Sequence, residues 1–140
     1  VYTDTIKTIS PGYGERHLYK ILRTLADIEG KGNMKFQAVG KTFSSSLAPR
    51  SSIILVSSLE EDNSLIPGAK ELCDRGFDFI ILSPSSLAME RKILPSILET
   101  LLLEREVLTS TLRSSGTIVI DWNPIETRIS QALGVIESKR

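Results

Sequence analysis

The chain has 140 residues, 41% of them apolar and 24% charged, which suits one globular domain with its own core and excludes a disordered, collagen-like or coiled-coil chain. Seventeen Lys plus Arg balance seventeen Asp plus Glu, so no overall positive field exists to hold nucleic acid or an anionic membrane surface. One cysteine, Cys73, leaves no internal disulfide and no zinc cluster, and the longest apolar runs, such as residues 53–56, fall far short of the ~20 residues that span a bilayer.

The chain opens on Val1 and enters directly on a stretch rich in β-branched residues, Val1, Thr3, Thr5, Ile6, Thr8 and Ile9. These suit strands and predict an edge hairpin at the start. The opening reads as that of a piece excised from a longer protein, with no signal-peptide pattern. Residues 10–14 then break the pattern with Pro11, Gly12 and Gly14.

Leu18, Ile21, Leu22, Leu25 and Ile28 recur at helical spacing and form one apolar stripe. Gly30 and Gly32 end that helix. A second helix is predicted over residues 34–47, with Phe36, Val39, Phe43 and Leu47 inward and Pro49 as its stop. Residues 52–57 contain Ile53, Ile54, Leu55 and Val56 without alternation, the pattern of a parallel strand covered on both faces. Glu60, Glu61 and Asp62 lead into a helix over residues 64–75 with Leu65, Ala69, Leu72 and Cys73 buried and Gly76 at its end.

The unit then repeats. Residues 77–83 read as a second buried strand. A helical stretch interrupted at Pro95 resumes over residues 96–113, carrying Ile97, Leu98, Leu101, Leu108 and Leu112, and Gly116 closes it. Residues 117–122 form the last strand. Asn123 is a good N-cap, Pro124 suits a first helical position, and Glu126 can bond back to the cap, so the last helix is expected to open there. Ile125, Ile129, Leu133 and Ile136 supply its apolar stripe. Strands alternating with helices predict one α/β domain over residues 1–140: a three-layer α/β/α, Rossmann-like, mostly parallel sheet with an edge hairpin strand at the start.

Ligands of an open parallel sheet sit beyond the carboxyl ends of its strands. Here those ends carry Ser57, Ser58, Ser83, Ser85 and Asp121. Hydroxyls and a carboxylate at one edge suit a cation or a phosphate; they equally suit capping of the helices that follow, which is the preferred reading. The Gly12-Tyr13-Gly14 run lacks the third glycine of a dinucleotide site and any Lys-Ser or Lys-Thr of a P-loop, and reads as a turn. His17 is the only histidine and has no Ser or Cys partner at a recognisable spacing for a catalytic dyad. Glu60, Glu61 and Asp62 are hard-oxygen ligands in principle, but three acids at a helix start also satisfy its dipole. Cys73 reads as a core thiol.

Four stretches in succession resemble one family. Residues 10–18, from Ser10 to Leu18, resemble its PPGRGRRHL segment. Gly30-Lys31-Gly32-Asn33-Met34 resembles GRGTD. Residues 50–60, from Arg50 to Glu60, resemble RRSIVVLISDLED, and residues 75–83, from Arg75 to Ser83, resemble RGHDVVVLS. The family is the von Willebrand factor A-like proteins of domain-of-unknown-function family 58, and the likeness runs from residue 1 to about residue 122, matching the carboxyl-terminal half of such a domain. It implies a Rossmann-like fold and a parent anchored in a membrane, acting on the cytoplasmic side beside a MoxR-type AAA ATPase. It also implies a metal-ion-dependent adhesion site, built from Asp-x-Ser-x-Ser after the first strand, a Thr in a middle loop and an Asp after the fourth strand. The first of these motifs falls upstream of Val1; Asn33 stands at the Thr position and Ser58 at the Asp position. Both are neutral, so the resemblance implies a degenerate or absent metal site, no bound cofactor and no catalytic residue. The carboxyl edge, with Ser57, Ser58, Glu60, Ser83, Ser85 and Asp121, becomes a candidate interaction edge.

The expected function is accordingly a non-enzymatic protein-interaction module that assists complex assembly with an AAA ATPase and self-associates where its sheet is left uncovered. The alternative is a Rossmann-like nucleotide- or phosphate-binding enzyme domain using the same serines and Asp121. A receiver-like domain lacks its acidic pair and late lysine here.

Overall fold

The structure, a computed structural model, describes residues 6–28, 35–48, 50–59, 64–85 and 95–137. Its elements in chain order are α1 (Glu15–Ala26), α2 (Phe36–Ser44), β1 (Ser52–Val56), α3 (Leu65–Asp74), β2 (Asp78–Pro84), α4 (Pro95–Ser114), β3 (Ile118–Trp122) and α5 (Ile129–Glu137). The three strands form one all-parallel sheet, as the sequence predicts, in the order β1-β2-β3. Ile54 pairs with Ile80 and Val56 with Leu82 across β1 and β2; Ile80 pairs with Ile118 and Ser83 with Asp121 across β2 and β3. Of the expected edge hairpin, residues 1–5 lie outside the described residues, and Ile6 makes an isolated bridge.

Parallel neighbours need crossover connections, and α3 and α4 supply them. Both fall on one face of the sheet. There Phe79 and Ile81 of β2 and Val119 of β3 meet Leu65, Ala69 and Leu72 of α3, Leu112 of α4 and Phe36 of α2. The Phe36 and Phe79 rings stack at 5.4 Å. Phe79 and Ile81 are all but fully buried, each contributing about 1.5–3 kcal/mol by burial. The opposite face carries Ile80, Leu82 and Ile120 against Ala132 of α5, with Ile118 and Trp122 at the margin. The period-two alternation of β2 and β3 thus feeds two separate cores.

The two crossovers end in the same way. Gly76 and Gly116 adopt φ of 83° and 89°, a left-handed conformation that costs other residues about 1–2 kcal/mol. After α3, the Gly76 N–H donates to the Cys73 carbonyl and the Phe77 N–H to that of Leu72; after α4, Gly116 donates to Arg113 and Thr117 to Leu112. This pair of bonds reverses the chain straight into β2 and β3.

Three expectations need correction. β1 is not covered on both faces: Ile53 and Leu55 are half-buried, but Ile54 and Val56 are 55% and 63% exposed. The two core faces reach different distances across the sheet, since α5 packs on β3 and no described helix covers the β1 end of that face. Leu47 is likewise exposed, because α2 ends at Ser44. Asn123 does not open α5. Its side-chain Oδ1 accepts from the Ile125 N–H at 3.0 Å and its carbonyl from the Thr127 N–H at 3.0 Å, closing a single turn that the Trp122 indole N–H fastens by donating to the Thr127 carbonyl at 2.8 Å. The helix begins at Ile129, where Gln131 Oε1 accepts from the Arg128 N–H at 3.1 Å, half of a capping box.

Candidate functional site

α4 has a stripe of buried and half-buried leucines at Leu98, Leu101, Leu108 and Leu112, of which Leu108 and Leu112 pack on the core. Arg105 falls on that same stripe, at four residues after Leu101 and three before Leu108, the spacing of one helix face. It lies over the carboxyl ends of all three strands. Its side chain is only 10% exposed.

All three guanidinium nitrogens donate. Nη2 donates to Asp121 Oδ1 at 2.7 Å and Nε to Asp121 Oδ2 at 3.2 Å, a two-point grip on the carboxylate. Nη2 also donates to the Ser83 hydroxyl at 2.7 Å, and Nη1 to the Ser58 carbonyl at 2.9 Å. One cation therefore ties the loop after β1 to the last turns of β2 and β3. Ser83 is fully buried, and its hydroxyl needs this partner.

Local backbone geometry aims the Ser58 carbonyl. Leu59, just after it, has φ of 65° although it is not glycine. The Leu59 side chain is buried in the core, and its N–H donates to the Ser57 hydroxyl at 3.3 Å. Core burial and this short turn hold a conformation that costs about 1–2 kcal/mol in isolation.

The sequence singled out Ser57, Ser58, Ser83, Ser85 and Asp121 as one edge. Arg105 brings together Ser58, Ser83 and Asp121. The other two stand aside: Ser57 serves the turn, and Ser85 donates its N–H to the Trp122 carbonyl at 2.8 Å, continuing the β2–β3 ladder. Arg105 itself was not anticipated. Its signal was a charged residue at a leucine position of an otherwise apolar stripe. Asn33, Glu60, Glu61 and Asp62 lie outside the described residues.

The remaining candidates occupy ordinary structural places. Gly14 (φ 81°) caps α1, accepting from the His17 and Leu18 N–H groups, and the His17 ring packs over Gly12. Cys73 is half-buried beside the core, its Sγ 3.8 Å from the Thr117 hydroxyl. Among the described residues no three His, Cys, Asp or Glu side chains gather at one point, and no helix is long and apolar enough to cross a membrane. A groove of about 410 Å³ between α3 and α4 is lined by Ile66, Leu103, Val107 and Leu108 with Glu104; it is apolar. Chemically, the described part of the carboxyl edge is an internal ion pair: Arg105 and Asp121 satisfy each other.

Comparison with family models, with curated proteins and with solved structures found no match.

Proposed function

We propose that this chain is a non-enzymatic protein-interaction module of the von Willebrand factor A-like class, resembling the carboxyl-terminal half of such a domain, and that its parent assists assembly of a partner complex. The observation that carries this reading is the Arg105 clasp. A parallel sheet presents ligands at the carboxyl ends of its strands, and here a buried guanidinium already occupies that place. A divalent cation approaching Asp121 would meet a like charge already bonded to both carboxylate oxygens, and a phosphate would meet a guanidinium most of whose donors already have partners. The exposed apolar surfaces of α1 and of β1 favour contacts with protein instead. The resemblance supplies the partner class, an AAA ATPase of the MoxR type at the cytoplasmic face of a membrane.

The test is direct. Purified chain is titrated against a purified MoxR-type ATPase by interferometry, and a panel of nucleoside phosphates is screened for thermal stabilisation. Micromolar ATPase binding with no nucleotide response is expected. Saturable stabilisation by a nucleotide would overturn the reading in favour of the phosphate-binding alternative.

A further inference from the structure

We draw no further inference here: the strongest candidate, the apolar groove of about 410 Å³ between α3 and α4 lined by Ile66, Leu103, Val107 and Leu108, carries nothing, because nothing in the structure shows what covers it.

Discussion

Arg105 grips Asp121 side-on, Nη2 to Oδ1 at 2.7 Å and Nε to Oδ2 at 3.2 Å, with the guanidinium 10% exposed and the carboxylate 44% exposed. That asymmetry of burial governs what each partner's removal does. Cutting a buried ion pair is damaging chiefly when it strands the buried charge.

Asp121→Ala leaves the guanidinium inside with only the Ser83 hydroxyl and the Ser58 carbonyl as close partners, so a loss of about 2–3 kcal/mol is expected. Arg105→Met places an apolar side chain on the leucine stripe and leaves a carboxylate that water reaches, but it also takes the partner of the buried Ser83 hydroxyl, so a loss of about 1–2 kcal/mol, smaller than that of Asp121→Ala, is expected. Urea denaturation followed through Trp122, the only tryptophan, measures both. Equal losses, or the reverse order, would refute this account of the clasp.

Leu59 provides a second check. At φ of 65° the usual penalty of glycine against alanine is inverted, because the left-handed conformation favours glycine by about 1 kcal/mol. Both Leu59→Ala and Leu59→Gly lose the buried side chain. The glycine variant is expected to be the more stable of the two in the same denaturation assay. A more stable alanine variant would show that the turn at Ser58 is not held as described.

Two helical glycines are expected to behave oppositely. A Cβ at Gly68 would lie 2.8 Å from Cδ1 of Phe36, the ring that stacks on Phe79. Gly68→Ala therefore forces the aromatic pair apart and costs about 1–3 kcal/mol. A Cβ at Gly134 meets nothing within 4 Å, so Gly134→Ala in α5 gains about 0.5–1 kcal/mol of helix stability. Melting temperatures moving in the same direction would contradict the packing of α2 on α3.

The sheet was legible because its signals are local. β2 carries the apolar run Phe79-Ile80-Ile81-Leu82 and is buried along nearly its whole length, and Gly76 and Gly116 mark the entries to β2 and β3 in the sequence itself. β1 carries the same kind of run, yet Ile54 and Val56 are exposed. Residue types report which positions can be buried, and only the packing decides how far the α5 layer reaches. Asn123-Pro124 misled for a related reason. The capping chemistry is real, but the Trp122 indole bond to Thr127 ends the turn before a helix can grow. The site was half legible. Ser58, Ser83 and Asp121 follow from strand ends alone, whereas Arg105 comes from 16 residues before Asp121 along the chain and declares itself only as a charge at a leucine position.

The central claim is that an internal guanidinium, and no external ligand, completes the carboxyl edge of the sheet. The measurement that bears on it most directly is the melting temperature of the wild-type chain with and without millimolar Mg²⁺, Mn²⁺ and Ca²⁺. A cation bound at a hundredfold excess over its dissociation constant would add about 2.7 kcal/mol to stability, a rise of several degrees. The account predicts no such rise, in the wild type or in Asp121→Asn. A rise of several degrees in the wild type that disappears in Asp121→Asn would place a metal ion where Arg105 is argued to stand, and would contradict it.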